Sequence, residues 1–440
     1  MSHPVHTAEQ VLARLSGLPG GPELLAQARR REDVALVGGA VRDLLLGHWP
    51  RELDVTVARD APGLARELAA SISPGERAYG RTLEPVLHER FGTASVAWQY
   101  GRIDIAERRA EDYAAPGALP DVRAGSFEED LRRRDFTINA IALPLHGAEN
   151  EGLVSVEGAL EDLRAGRLRV LHDRSFIDDP TRILRLARYA ARLGFEIEHH
   201  TRRLAERAVA DGAMDTVSGT RVGAELWLLA RAENGRAALA TLSELGVLQA
   251  LGMPAFDAAL AAEAAAYLPS DGRHDLLLMA VAFHPPAAAD DGVGALAAEA
   301  LAVMQRLDFP REDRERILDS AINSRAREMT EGPSPAVAAW LLDGLPVEGA
   351  ALTGALAARE SAEAAQLVRA WLEEQRHVTL EIDGNDLLVA GVPEGPEVGR
   401  RLVVALMRKR EGAASGREEE LRAALDAELE PPGTPLEPQP

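Results

Sequence analysis

The spacing of apolar residues changes character near Gly158, and that change confines the chain to an architecture of two textures. Between about Val34 and Leu143, short apolar runs alternate with turns: VALVGG, LDVTVA, ASVAWQY, RIDIAE and the helical-looking TINAIALPL. Alternation at this spacing predicts a small mixed β-sheet with a few helices. Beyond Gly158 come long Ala/Leu/Arg/Glu segments without strand signals, which predict helices. The expected fold class is therefore α+β: a head with a small mixed β-sheet, then an all-helical remainder. Turn-rich breaks at HPPAAADDGVG (284–294) and EGPSP (331–335) divide the helical part. The last residues, PPGTPLEPQP, carry too much proline to pack and predict disorder over 430–440. No internal repeat is evident.

At 440 residues the chain is longer than one core usually organises, so two to four domains are expected. It contains no cysteine, which excludes disulfides, thiolate-ligated zinc and thiol catalysis. Any metal site must use carboxylates, His or water. The opening MSHPVHTAEQ has no basic segment leading into an apolar run, and no stretch reaches the roughly 18 apolar residues of a membrane span. A cytoplasmic protein with no membrane contact is expected, and no protein partner is predicted. The net charge of −21 opposes nucleic-acid binding when taken as a total. Locally the balance reverses, because Arg164 to Arg203 holds ten arginines against five acids. Lys409 is the only lysine.

The chemistry gathers in the first texture. Val37-Gly38-Gly39-Ala40-Val41-Arg42-Asp43-Leu44 follows an apolar strand and opens a helix ending near Gly47. Glycines there let the backbone approach a ligand, and exposed helix N–H groups favour a phosphate. A Gly-Gly strand-to-helix turn is by itself also a common structural device. Pro50-Arg51-Glu52-Leu53-Asp54 follows, and in a strand the two-residue spacing of Glu52 and Asp54 puts both carboxylates on one face. Side by side they repel, which makes sense around a divalent cation. Asp104, inside the apolar strand RIDIA, offers a third acid. Three strand-borne carboxylates beside a phosphate-cradling turn are the parts of a two-metal phosphoryl-transfer site, whereas a lone E-x-D is more often a solvated strand face.

These elements, with Phe91-Gly92-Thr93 and Arg132-Arg133-Arg134-Asp135-Phe136-Thr137-Ile138-Asn139-Ala140, resemble the head of the class II tRNA nucleotidyltransferases, the family of CCA-adding enzymes and bacterial poly(A) polymerases. The run RRDFTINA (133–140) is the most specific part. The resemblance covers residues 30–230 well and 376–425 more loosely. It implies a nucleotidyltransferase head (1–150), a neck for base selection (151–232), a helical body (233–345) and a helical tail that binds tRNA (346–429). It also implies that Glu52, Asp54 and Asp104 are catalytic and hold two Mg²⁺, and that the substrates are CTP and ATP. Gly38, Gly39 and Arg42 would hold the triphosphate, with Asp43 supporting the turn, and Arg134, Asp135 and Asn139 would meet the ribose side. The family normally has Asp-x-Asp where this chain has Glu52-x-Asp54, so the first ligand is one methylene longer.

Downstream, Phe176-Ile177-Asp178-Asp179-Pro180-Thr181-Arg182 predicts a helix with Asp179 as N-cap, Pro180 at the first position and Gly194 as terminator. Arg182, Arg185, Arg188 and Arg192 form a basic stripe beside an apolar face, which a capped amphipathic helix also explains. The family signature here is E-D-x-x-R, and this chain reads D-D-P-T-R. By resemblance Asp179 and Arg182 read the incoming base, Arg185 and Arg188 complete the nucleotide site, and Arg192 meets RNA. Cytosine and adenine both set an exocyclic amine beside a ring acceptor, so one carboxylate and one guanidinium can accept both. Ser218-Gly219-Thr220-Arg221-Val222-Gly223-Ala224-Glu225 reads as a bracing helix with an Arg221–Glu225 pair. His274-Asp275 reads as a helix start rather than a metal centre. In the tail, Gly395-Pro396 with Arg400 and Arg401 resembles the part that grips the tRNA elbow, and a plain helix-turn-helix explains it equally well.

The activity expected is template-independent addition of C and/or A to the tRNA 3′ end, the partners being the acceptor stem and elbow of tRNA and nucleoside triphosphates. Partial CC or A addition, with the Ala110–Glu129 stretch as a flexible discriminating segment, is one alternative. Poly(A) polymerisation is another, and a non-catalytic tRNA-binding protein a third.

Overall fold

A computed structural model of the chain describes residues 3–77, 83–88, 92–146, 152–285, 293–322 and 324–427. Phe91, most of the 284–294 break and the proline-rich end therefore lie outside the described residues. The rest forms two compact units, one built from residues 1–225 with 244–250, the other from 226–243 with 251–440.

The first unit is organised by a seven-stranded sheet. Its strands are β1 (Ala35–Val37), β2 (Leu53–Val57), β3 (Val86–His88), β4 (Thr93–Trp98), β5 (Gly101–Glu107), β8 (Ile141–Pro144) and β9 (Val154–Ser155), in the order β3-β4-β5-β2-β1-β8-β9. A separate hairpin pairs β6 (Arg109–Asp112) with β7 (Asp121–Ala124). Only β2 and β5 run parallel among the described pairings of the large sheet, so the sheet is mixed, as the alternating runs predict. Val55 and Val57 on β2 and Ile103 and Ile105 on β5 are buried, which fixes the register and leaves the alternate residues facing the other way. β9 joins this sheet although it lies beyond residue 150, the edge expected for the head. A two-residue parallel pair, β10 (Arg167–Leu168) with β11 (Glu196–Ile197), interrupts the helices beyond Gly158. Strands that short carry no readable period.

β1 runs directly into the helix Gly38–Leu45, where Gly38 has φ +67° and Gly47 closes the following turn at φ +79°. Both values lie in the left-handed region that favours glycine. Within Ala110–Glu129, β6 and β7 form a hairpin that leads into a helix. Its loop donates Gly117 N–H to the Ile177 carbonyl, and the helix Phe127–Arg132 that follows is closed by a Ser126/Glu129 capping box.

The second unit is helical. The helix His274–Phe283 is buried continuously from Leu276 to Phe283, as expected of a segment that is apolar all round. His274 stands exposed at its start and Asp275 pairs with Arg273 and Arg231, so this dipeptide serves as a helix start. Fully buried Glu348 accepts from Arg316 and from the Arg273 N–H. The helices Gly384–Val389, Pro396–Arg410 and Arg417–Leu425 close around Ile382, Leu387, Val392, Ala405 and Ala424. Lys409 there pairs with Glu420, whose carboxylate also accepts the Glu381 and Ile382 N–H groups. No helix among the described residues is long and apolar enough to cross a membrane.

Candidate active site

The parallel register sets Asp54 on β2 level with Asp104 on β5, and Glu52 immediately precedes β2. One ligand oxygen from each of the three lies within 4.8 Å of the others, the one such group of His, Asp or Glu side chains among the described residues. Burial, then the neighbouring Glu52, pushes the Asp54 carboxyl up to about 6, with Asp104 adding to the effect and Arg134 opposing it. Negative charge is thus concentrated beyond what the local cations neutralise. Asp104 accepts from Arg102 Nε at 2.9 Å.

Above Asp54 sits the glycine turn. The helix Gly38–Leu45 has Val37 as its N-cap and no side chain capping its first N–H groups. These donors are the orphan groups that an anion satisfies. A Cβ at Gly38 would stand 2.6 Å from Arg134 Nη1 and 3.8 Å from Asp54 Oδ2, so the turn, Arg134 and the carboxylates converge on one point. Arg134 donates Nη2 to Asp130, and its Nε has no partner among the described residues.

Arg42, expected to reach the triphosphate, lies beneath the turn at 1% exposure. It donates Nε and Nη2 to Asp43 and Nη1 to Asn139, and lies 5.1 Å over the Tyr189 ring. Burial works against its charge, but Asp43 outweighs this and holds the guanidinium above its ordinary value. Asp43 also accepts from Arg192 at 2.6 Å, which ties Arg192 to the glycine turn. Asn139 donates in turn to Asp135, whose second oxygen accepts from Arg185 at 2.9 Å. Burial opposes ionisation of Asp135, yet Arg185 keeps its carboxyl below the usual range, and Asp135 raises Arg185. Arg192, Asp43, Arg42, Asn139, Asp135 and Arg185 are therefore one continuous chain of charge-assisted bonds linking β-sheet turn to helix.

The basic helix runs from Thr181 to Leu193, with Gly194 at φ +65° as its terminator and Pro180, not Asp179, at the N-cap. Asp179 stands one residue further out and still accepts the Thr181 N–H at 3.2 Å. Its Oδ1 also accepts from Thr181 Oγ1 and from Arg221 Nη2 at 2.9 Å. Arg182 is buried, donating to Ser175 Oγ and to the Arg133 carbonyl, each at 2.8 Å. The expected Arg221–Glu225 pair is not formed in that sense: Arg221 turns to Asp179, and Glu225 lies 3.3 Å from Arg188. Each residue meets an opposite charge from elsewhere in the chain.

Sequence reasoning passed over three residues. Buried Asp130 holds both Arg133 and Arg134, Glu111 accepts from Arg133, and Tyr113 donates to Glu111 at 3.1 Å. Burial, reinforced by Glu111, pushes the Tyr113 hydroxyl up to about 12. Asp130 was findable as the i−4 partner of Arg134, whereas the others depend on tertiary contacts. In the tail, Gly395 precedes the helix Pro396–Arg410 at φ +149° and Arg400 is exposed. Arg401 instead donates to Glu397 and to the Ala424 and Leu425 carbonyls, closing the last helix.

A carboxylate triad on parallel strands, set against an uncapped glycine-led helix, defines the class of nucleotidyltransferase heads. Residues 34–169 match the Poly A polymerase head domain family. The chain is 31% identical over 417 residues to the A-adding tRNA nucleotidyltransferase of Geobacter sulfurreducens, covering 89% of this chain and 45% of that protein. It is 41% identical over 191 residues to the CC-adding enzyme of Deinococcus radiodurans, covering 42% of this chain and 48% of that one. The fold matches the Thermotoga maritima CCA-adding enzyme, solved with tRNA, with a TM-score of 0.70 at 25% identity over 96% of this chain and 98% of that chain. The chain spans about half the length of these curated relatives. Its head domain and its fold are thus similar to those of the class II tRNA nucleotidyltransferases.

Proposed function

We propose that this chain transfers C and/or A from CTP and ATP to the 3′ end of tRNA without a template, releasing pyrophosphate. The observation that carries the reading is the convergence of Glu52, Asp54 and Asp104 with the uncapped Gly38–Gly39 turn and Arg134. Three clustered carboxylates, one of them pushed up by burial and then by its neighbours, form a hard-oxygen donor set that fits Mg²⁺. When bound there, Mg²⁺ would promote attack by the 3′-hydroxyl on the α-phosphorus and stabilise the departing pyrophosphate.

The protein's own groups divide the remaining work. The first-turn N–H groups and Arg134 receive phosphate oxygens. Buried Arg42 holds the turn in place from behind, through Asp43 and Asn139, rather than touching phosphate. Asp135 and Arg185 stiffen the ribose side. The bonds to Asp179 go to Oδ1, which leaves Oδ2 to accept an exocyclic amine, while Arg182 is held in place to donate to the ring acceptor. Residues 1–150 would carry the chemistry, 151–232 base selection, 233–345 the body, and 346–429 the grip on the tRNA elbow through Gly395 and Arg400. A cytoplasmic location fits such a substrate.

The test is incubation of purified protein and Mg²⁺ with tRNA transcripts lacking A, CA or CCA, supplied with each nucleotide singly and with CTP and ATP together. Growth of matching 3′ ends with CTP or ATP, and not with UTP or GTP, is the expected result. No growth on any transcript would sink it in favour of a tRNA-binding protein, and long A tails on unstructured RNA would favour poly(A) polymerase. Partial addition is the second reading, favoured by relatives named for adding only A or only CC. Full CCA synthesis on the shortest transcript would exclude it.

A further inference from the structure

Two large aromatic side chains stand in water beside the carboxylates, in a chain with only 4% aromatic residues. Trp49 is 60% exposed and Tyr100 62%. Trp49 lies three residues before Glu52, and Tyr100 four before Asp104. Continuing the parallel β2–β5 register back from the Leu53–Ile103 pair brings Pro50 level with Tyr100, so both aromatics flank the sheet end that carries the triad. Singly exposed aromatics are common, and what marks these two is their place together at the sheet end that carries the carboxylates.

The Trp49 ring is held from one side. Arg14 donates Nη2 to the Gly47 carbonyl at 2.6 Å, and its guanidinium carbon stands 4.5 Å from the Trp49 ring centroid. That contact fixes the indole plane and, at 60% exposure, leaves the ring open away from Arg14. Arg51 is exposed one residue before Glu52, and Arg102 is half exposed where it reaches Asp104. A fixed aromatic face with flanking guanidinium groups suits unpaired bases on a phosphate backbone, because every base has a face to stack and every phosphate a charge to match. The reacting hydroxyl must come to the triad on the last nucleotide of an RNA strand, so the preceding unpaired nucleotides trail away from the sheet end that Trp49 and Tyr100 flank.

We propose that Trp49, held by Arg14, and Tyr100 form a stacking platform for the single-stranded 3′ end of the RNA acceptor. The proposal rests on the nucleotidyl-transfer reading and adds to it the residues that position the acceptor. The platform recognises unpaired nucleotides without regard to sequence, so it serves each acceptor end alike.

The experiment measures fluorescence anisotropy of a dye-labelled RNA minihelix, with a three-nucleotide 3′ overhang or blunt, against the full chain in EDTA. Wild type, Trp49→Ala, Tyr100→Ala and Trp49→Phe are compared, with melting curves to show that each is folded. Trp49→Ala is expected to weaken binding of the overhang RNA about tenfold and leave the blunt RNA unchanged, with Trp49→Phe restoring most of the difference. Tyr100→Ala should act in the same direction. In turnover assays Trp49→Ala should raise the KM for acceptor and leave the KM for nucleotide unchanged. Equal affinities of wild type and both alanine variants for the overhang RNA, or an equal loss on blunt and overhang RNA, would overturn the platform. Wild type that transfers nucleotides without Trp49 dependence overturns the platform alone. Wild type that binds with this dependence but transfers nothing overturns the proposed activity and leaves the platform standing.

Discussion

Burial and the two adjoining carboxylates push Asp54 up to about 6, while an unfolded chain leaves an Asp near 3.9. The folded protein therefore binds the extra proton between those values, and its stability falls as pH rises through about 6. Asp54→Asn removes the penalty. In EDTA it should stabilise the protein at pH 7.5 by on the order of 1–2 kcal/mol and by nothing below about pH 4, read from urea unfolding at both pH values. The same substitution should abolish transfer. Glu52 is the largest electrostatic contributor to this shift, so Glu52→Gln should move the Asp54 titration downward in carboxyl-carbon NMR. An unmoved titration would mean that the two carboxylates do not face each other. These charges were readable in the sequence as an E-x-D pair, but the Asp54–Asp104 pairing came from strand register.

At the level of elements, the strand-to-helix turn depends on Gly38 for two separate reasons. Its φ of +67° strains any side chain by about 1–2 kcal/mol, and a Cβ would stand 2.6 Å from the Arg134 guanidinium. Gly38→Ala should lower the melting temperature modestly and raise the KM for nucleotide, with the loss in transfer exceeding what the stability change explains. An unaltered KM would remove this turn from the nucleotide site. Between the Thr181–Leu193 and Gly219–Ala230 helices, the Arg221–Asp179 pair fixes the carboxylate proposed to read the base. Arg221→Ala is expected to raise misincorporation of UTP and GTP relative to CTP and ATP, measured with single nucleotides. Unchanged selectivity would assign this pair to stability alone. The amphipathic pattern showed both helices, but the i, i+4 spacing of Arg221 and Glu225 suggested a partner that neither residue uses. Local spacing loses to opposite charges, Asp179 and Arg188, that the fold brings close from another segment.

For the whole molecule, a net charge of −21 opposes RNA while the Arg164–Arg203 segment is locally basic. Many of those arginines are already paired, among them Arg169 with Asp162, Arg185 with Asp135 and Arg192 with Asp43. Fewer free cations remain than the composition suggests. Binding of tRNA should still weaken steeply with added salt, with log affinity linear in log salt and a slope reporting the phosphates contacted. A slope near zero would argue against phosphate contacts.

The sequence by itself determined the mixed sheet, the helical remainder, the glycine turn, the carboxylate trio and the family resemblance of the head, because periodicity, turn chemistry and an eight-residue motif are local properties. Only the tertiary structure decided which charges meet. Arg42, Arg192 and Arg401 look alike in sequence as cations offered to triphosphate or RNA, yet the fold bonds each to protein acceptors. Likewise Ala110–Glu129 becomes a hairpin because β6 finds β7 and Gly117 finds the Ile177 carbonyl. A buried donor must be satisfied, and which acceptor lies within 3 Å or so is set by packing between segments far apart in the chain.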